Sequence, residues 1–298
     1  MEVFRCGYIA LIGRPNVGKS TLLNRILGQK ISITSRRPQT TRHRVLGIKT
    51  LPAAQLIYVD TPGIHAFSGR AMNRHMNRTA SNVLLDVDVV VFLVEGQRWT
   101  ADDEMVLQKL GQITSPVILA LNKIDLLGNR EELLPRLQEL SEKRSFEQVI
   151  PISASKGDNV AELEAVIEEL LPAAPPLFPE DQVTDRSVRF LASELIREKL
   201  FRKLGKELPY GLTVEIEQFK SGAAITHIHA LIWVERNSQK NIVVGKQGRV
   251  LKDVGTDARR DIEELIGGKV NLKLWVKVKE GWADDERALH SLGYTDDK

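Results

Sequence analysis

The stretch GRPNVGKS at residues 13–20 follows the apolar run YIALI and constrains the chain more than any other feature. Phosphates need many hydrogen-bond donors at short range, and backbone N–H groups supply them only where side chains stay clear. Gly13 and Gly18 permit that approach, with Arg14, Pro15, Asn16 and Val17 completing the loop between them. The helix that follows adds its N-terminal dipole. Lys19 can then reach the β- and γ-phosphates of a nucleotide, and the Ser20 hydroxyl can ligate Mg²⁺. With glycine near 7% of residues on average, such a match arises by chance in about one per cent of chains this long.

Three further motifs decide which nucleotide. LNKID, residues 121–125, ends an apolar strand. A carboxylate there can accept from both the ring N–H and the exocyclic amine of guanine, which adenine cannot offer, so Asp125 selects guanine. Asn122 would brace the neighbouring loops, Lys123 would lie along the base, and Ile124 completes the turn. VDTPG, residues 59–63, ends another strand. Asp60 can hold Mg²⁺ through water, Thr61 and Pro62 lead to Gly63, and the Gly63 N–H can bind a γ-phosphate oxygen. SRRPQTTRHR, residues 35–44, is polar and without apolar period, as a loop carrying a second Mg²⁺-binding hydroxyl would be; Thr41 is preferred there and Thr40 is the alternative. SAS closes the set at Ser153, Ala154 and Ser155, with the Ala154 N–H expected to meet guanine O6. The ligands expected are GTP or GDP with Mg²⁺, held by Ser20, Thr41 and Asp60.

The segment PAAPPLFP, residues 172–179, holds four prolines and supports neither helix nor central strand. It divides the 298 residues into an expected GTPase domain (1–171), a linker (172–185), an RNA-binding domain (186–279) and a tail (280–298). Before the linker, YIALIG, AQLIYVD, VVVFLV, VILALNK and VIPISA alternate with segments of helical period. That predicts an α/β fold, a mostly parallel sheet with helices on both faces. After it the expected order is helix, strand, strand, helix, helix, strand, with the two late helices broken at Gly255. The single cysteine, Cys6, excludes an internal disulfide framework and suits a reducing compartment, where it packs rather than reacts. The longest apolar runs fall far short of the roughly twenty residues that span a bilayer, so a cytoplasmic protein is expected.

Charge is distributed unevenly. Residues 186–279 hold 19 basic and 11 acidic side chains, a net of +8, while the remainder carries a net of −5. A basic segment attached to an acidic one points to a polyanion partner. Within it, IVVGKQGRVLK reads as a strand-like run followed by a glycine pair opening a helix. Gly245, Lys246, Gln247, Gly248 and Arg249 would meet a nucleic-acid backbone, with Ile242 and Val250 as the apolar floor beneath the bases. In NLKLWVKVK, Leu272, Leu274, Val276 and Val278 share one face, and Lys273, Trp275, Lys277 and Lys279 the other, either solvated or in contact with RNA. His227 and His229 alternate on a strand face, but two histidines do not make a zinc site.

GRPNVGKS, QTTRH, DTPGIH and NKID in this order, joined to a carboxy-terminal RNA module, closely resemble the Era family of translation-factor-class GTPases over essentially the whole chain. The resemblance implies a P-loop GTPase domain followed by an α+β type II KH domain. It also implies a monomer that binds near the 3′ end of 16S ribosomal RNA during assembly of the small ribosomal subunit, and peripheral association with the inner membrane. Lys19, Asn16, Thr41 and Gly63 become the candidate catalytic residues. Ras-type enzymes orient the attacking water with a glutamine after the DxxG glycine; here Ile64 stands in that place, an apolar substitution the family shares. Related GTPases ligate K⁺ with an asparagine at the Asn16 position, and the other reading of Asn16 is a loop-turn residue. HAFSGRAMN, after the DTPG motif, departs from the family's usual Pro-Lys pair. The rival reading from another class is an RNA-binding adaptor that holds GTP as a structural ligand. A GTPase of tRNA modification would be expected to bring extra domains and a cysteine of its own, a part that Cys6 in the first apolar run does not fill.

Overall fold

In the computed structural model, the described residues are 3–35, 37–64, 71–128, 131, 133–205, 208–292 and 294. The chain divides into two compact units between Asp185 and Arg186, with Ala71 and Met72 grouped with the second. The expected switch segment at HAFSGR lies outside the described residues.

The first unit is a six-stranded sheet in the order β2-β3-β1-β4-β5-β6. β1 (Arg5–Ile12) pairs in parallel with β3 (Ala54–Asp60) and β4 (Val89–Glu95), and β5 (Val117–Asn122) and β6 (Gln148–Pro151) extend the parallel part. All seven residues of β3 and all six of β5 are buried, because helices cover both sheet faces and the strands need no polar side. β2 (Val45–Thr50) runs antiparallel to β3 at the sheet edge, a strand the apolar-run pattern does not pick out. The helices are α1 (Lys19–Leu27), α2 (Ala71–Val83), α3 (Ala101–Leu110), α4 (Leu133–Ser141) and α5 (Val160–Leu170). The chain leaves β1 with β3 on one side and β4 on the other, so the strand order reverses there. In open parallel sheets ligands sit outside the carboxyl ends of the strands at such a point. The loops after β1, β3, β5 and β6 all emerge at that edge.

The proline-rich segment is held to this unit. Pro172 O accepts from Cys6 N at 3.1 Å, and Ala174 N donates to Phe4 O at 3.2 Å. Gln55, fully buried, accepts at Oε1 from Leu177 N and Phe178 N and donates from Nε2 to Phe178 O. Farther along, Ile48 N donates to Val183 O, and Leu46 N to the Asp185 carboxylate at 3.0 Å. Cys6 is buried beside Gln55, and burial pushes its thiol up, as suits a packing cysteine.

The second unit runs α6 (Val188–Lys203), β7 (Leu212–Lys220), β8 (Thr226–Val234), α7 (Asn237–Val244), α8 (Arg249–Ile266) and β9 (Val270–Val278). β8 is central, antiparallel to β7 and parallel to β9. α6 and α8 cover one sheet face, with Leu195, Ile196 and Leu200 meeting Val254, Ala258 and Ile262 over the buried residues of β8. Two local expectations fail. Ile242–Val244 is the last turn of α7, not a strand, because burying Val243 and capping at Arg236–Gln239 outweigh the β-branched run. The break between the helices falls at Gly245–Gly248, and α8 passes through Gly255 without interruption. The tail returns to the same unit: Trp282 is buried, its indole N–H reaches Gly211 O, and Tyr294 stacks on it while meeting the Thr213 hydroxyl at 3.0 Å. A short helix, α9 (Glu286–Ser291), lies between them.

Candidate nucleotide site and nucleic-acid groove

The loop from Gly13 to Gly18 joins β1 to α1. Gly18 has φ +110°, and a Cβ there would lie 2.2 Å from Asn122 Nδ2, so only glycine fits between the two loops. Asn16 occupies the left-handed region at φ 66°, and Val17 is buried beneath the loop. Lys19, at the first helical position, turns back over the loop and donates to Gly13 O (2.9 Å) and Arg14 O (3.0 Å). Burial lowers its ammonium to about 8.

The three expected metal-binding groups meet. Ser20 Oγ lies 2.8 Å from Thr41 Oγ1 and donates to Asp60 Oδ2 at 2.6 Å; Ser32 donates to the same oxygen at 2.6 Å. Asp60 Oδ1 is buried with no hydrogen-bond partner among the described residues. Burial pushes this carboxyl up against the opposing pull of the two serines and Lys19. A buried carboxylate oxygen left unpaired beside two hydroxyls is an environment a hard divalent cation fits, and Mg²⁺ there would neutralise phosphate charge. Thr40 points elsewhere: its hydroxyl bonds to Ser35 Oγ (2.9 Å) and Arg37 O (2.7 Å). Thr61 donates to Leu11 O, Pro62 is buried, and Gly63 lies against Pro15 of the phosphate loop. Ile64 is fully buried in the sheet's core and turns no group toward this site.

The base-side loops are tied to the phosphate loop. Asn122 donates to Val17 O (2.7 Å) and accepts from Lys123 N (2.7 Å) and Ala154 N (3.0 Å). The Ala154 N–H, expected to meet guanine O6, bonds here to Asn122 Oδ1 at the rim of the base site. Lys123 adopts φ 65°, and Ile124 N donates to Ile152 O. The exposed Asp125 carboxylate accepts from Ser153 Oγ (2.6 Å) and Ser155 Oγ (3.3 Å). Three residues that the motifs do not include complete the site. Glu95, at the end of β4, binds Arg14 on one side and Lys123 (3.2 Å) on the other; although burial raises its carboxyl, these two partners hold it below its ordinary value. Asp103 accepts from Arg14 Nε at 3.1 Å while capping α3. Arg25, on α1, donates to the carbonyls of Ala154 and Ser155. Arg14 thus braces the loop sideways. Glu95 carried a legible signal, an acid closing the buried run VVVFLV at the ligand edge; Arg25 and Asp103 are helix residues with none.

In the second unit, Gly245 and Gly248 have φ 73° and 76°, with Gln247 also positive at 53°. A Cβ on Gly245 would strike Val250 at 2.4 Å, so Val250 packs under the turn. Lys246, Gln247 and Arg249 are exposed around it. A groove of about 650 Å³ opens beside this turn, lined by Gly248, Lys252 and Arg259 above Leu251, Leu272 and Leu274. The apolar floor is therefore Leu251, Leu272 and Leu274, not Ile242 and Val250; Ile242 is half exposed at the end of α7. Gly255 lines the groove from α8, where a Cβ would meet Leu274 Cδ1 at 3.4 Å, an ordinary contact.

A phosphate-loop sheet with a guanine-type NKID strand end, followed by an αββααβ module with a glycine-turn groove, defines a GTPase fused to a KH-type RNA module. Comparison with known proteins agrees in both halves. Residues 8–123 match the family model described as 50S ribosome-binding GTPase, and residues 207–283 match the KH domain model. GTPase Era of Ectopseudomonas mendocina is 58% identical over 294 residues, covering 99% of this chain and 98% of its own. That of Glaesserella parasuis is 61% identical over 293 residues, covering 98% of each. Among solved structures, Era in complex with MgGDPNP and nucleotides 1506–1542 of 16S ribosomal RNA superposes with a TM-score of 0.95 at 39% identity, covering 98% of this chain and 99% of that one. A variant of Aquifex aeolicus Era bound to GDP·AlF4⁻ matches equally, covering 98% of this chain and 100% of that one. The chain belongs to the Era family of GTPases.

Proposed function

We propose that this protein is a GTP-hydrolysing switch that binds the 3′ region of 16S ribosomal RNA through its KH groove and acts in assembly of the small ribosomal subunit. The observation that carries the enzymatic half is the meeting of Ser20, Thr41 and Asp60, with the buried Asp60 Oδ1 unpaired between them. These residues would hold Mg²⁺, Lys19 would exchange its two carbonyl partners for phosphate oxygens, and the Gly63 N–H would meet the γ-phosphate. Asp125, steadied by Ser153, would read guanine. GTP would order the loops carrying Thr41 and Gly63, and hydrolysis would release them.

Catalysis here proceeds without a glutamine. Ile64 is buried and cannot orient water, so intrinsic turnover is slow, and Asn16 is the residue through which K⁺ would add positive charge beside the phosphates. In the RNA half, the matched Era complex holds 16S nucleotides 1506–1542, and the +8 segment with its groove supports the same ligand here. The protein acts as a monomer in the cytoplasm, with peripheral contact to the inner membrane; among the described residues no helix is long and apolar enough to cross a membrane. Multiple-turnover phosphate release, with and without a 3′-terminal 16S fragment, tests the whole reading. Slow release at one GTP after another supports it; GTP bound indefinitely without release would replace it with the adaptor.

A further inference from the structure

The sheet of the second unit has a second face that α6 and α8 leave uncovered, with Tyr294 of the tail meeting Thr213 on it and Leu231 buried. Ile228, Ala230, Ile232 and Val234 of β8 turn into the core, so His227, His229, Leu231 and Trp233 turn to the opposite side. The register sets His229 beside Lys273, Leu231 beside Trp275 and Trp233 beside Lys277. Trp275 is 43% exposed. The His229 ring stands edge-on to it at 5.2 Å, and the Lys277 ammonium lies 5.8 Å from the Trp233 ring. Toward the Val234 end of this face Trp233 donates to Glu215, which stands across from Leu231 in the row of Trp275, and Lys277 lies 3.7 Å from Glu217 of the β7 bulge. At the other end stand His227, His229 and Lys273, with Lys220 across from His227 and no carboxylate in the paired positions.

β9 is an edge strand, paired with β8 alone. Its inward residues Leu272 and Leu274 line the groove, and the intervening Lys273 and Trp275 belong to the outer face. Successive residues of β9 alternate between groove and outer face, so the two surfaces meet along this edge. An RNA strand that leaves the groove over this edge meets a flat indole flanked by a lysine, the combination that holds single-stranded nucleic acid elsewhere.

We propose that the outer sheet face around Trp275, His229 and Lys273 is a second subsite for single-stranded RNA, continuous with the groove, in which a base stacks on Trp275 and Lys273 meets a phosphate. This rests on the groove itself binding RNA. The test uses the full chain and two sets of unstructured 16S-derived oligonucleotides, four nucleotides long to fill the groove and about nine long to pass beyond it. The wild type should bind the longer set more tightly. Trp275→Ala should weaken the longer set about tenfold and leave the shorter set unchanged, while Trp275→Phe retains most of the gain. Lys273→Gln should lower the salt dependence of the longer set by about 0.7 in log–log slope, one phosphate contact. Equal affinity of wild type and Trp275→Ala for the longer set would overturn the subsite and leave this face to a protein partner. Equal weakening of both lengths would overturn it too, as a general disturbance of the module. A wild type that binds neither length would instead remove the RNA reading of the groove, and this subsite with it.

Discussion

Asn122 donates to the carbonyl of Val17 across 2.7 Å, so one side-chain amide fastens the loop after β5 to the loop before α1. Its Oδ1 takes the N–H groups of Lys123 and Ala154 at the same time. Asn122→Ala would leave the Val17 carbonyl and the Ala154 N–H unpaired in a buried place, a cost of about 3 kcal/mol. Thermal unfolding of the first unit should drop by roughly 10 °C, and GTP affinity should fall with it. Gly18→Ala should reproduce both effects, because its Cβ would displace the same amide. Circular dichroism melts and nucleotide titrations check the pair; a Gly18→Ala protein with wild-type affinity would show that the two loops are not coupled.

On the proposed function, base selection rests on the Asp125 carboxylate. Asp125→Asn should weaken GTP binding by about 3 kcal/mol, roughly a hundredfold, and shift preference to xanthosine triphosphate, whose carbonyl can accept from the new amide. Ser153→Ala, which removes the 2.6 Å bond to Asp125, should cost less and leave the preference for guanine intact. Competition titrations with the two nucleotides read both variants.

Lys19 makes GTP binding depend on pH in a defined direction. In the nucleotide-free site burial holds its ammonium at about 8. Phosphate oxygens favour the charged form and raise that value, so above about pH 8 binding takes up a proton and affinity falls as pH rises. At pH 7 the lysine is already charged and contributes little slope. Calorimetry at pH 8.5 in buffers of different ionisation enthalpy should show proton uptake. Asp60 acts in the other direction: burial raises its carboxyl, so Mg²⁺ affinity should weaken on acidification as protons compete for it.

Without a glutamine at position 64 the isolated protein should hydrolyse GTP no faster than about 10⁻³ s⁻¹, the order of unstimulated Ras. Exchanging K⁺ for Na⁺ should slow it further with little change in GTP affinity. Asn16→Gly is the informative variant, because glycine accepts φ 66° and only the side chain is lost. That variant should turn over equally in the two salts. Equal rates for the wild type in K⁺ and Na⁺ would return Asn16 to the role of a turn residue.

Gly248→Asp places a negative side chain where nucleic acid must approach, at a glycine with open space around its Cβ position. RNA binding should be lost while GTP affinity survives. Aspartate tolerates the left-handed region better than most residues, so folding should be little affected. Filter binding and nucleotide titration on the same preparation separate the two effects.

The parallel sheet and the nucleotide motifs were legible because each buried strand is a continuous apolar run ending in a motif at the ligand edge. β2 was not, since Val45–Thr50 follows a polar loop and pairs antiparallel at an edge, where no fully apolar run is required. The same apolar-run rule misled at Ile242–Val244, where tertiary burial of Val243 makes helix of a strand-like sequence. Gly255 read as a breaker, yet the helix runs through it, because the packing of α8 outweighs the low helix propensity of one glycine. The proline-rich segment read as a spacer because proline excludes helix and ladder, yet Gln55 binds its backbone from a strand more than a hundred residues away. Arg25 and Asp103 reach the site through contacts distant in sequence, which no local pattern encodes.

The buried pair of Lys19 and the half-unpaired Asp60 has a consequence for the lifetime of the protein. Folding the empty chain removes an ammonium and a carboxylate from water before their proper counter-charges, phosphate and metal, arrive. Guanine nucleotide would therefore act as a folding partner as well as a substrate, adding about 2.7 kcal/mol of stability at a hundred times its dissociation constant. A nucleotide-starved cell would hold more of this chain in its empty, opened form, exposed to proteases, and its abundance would follow the guanine nucleotide supply.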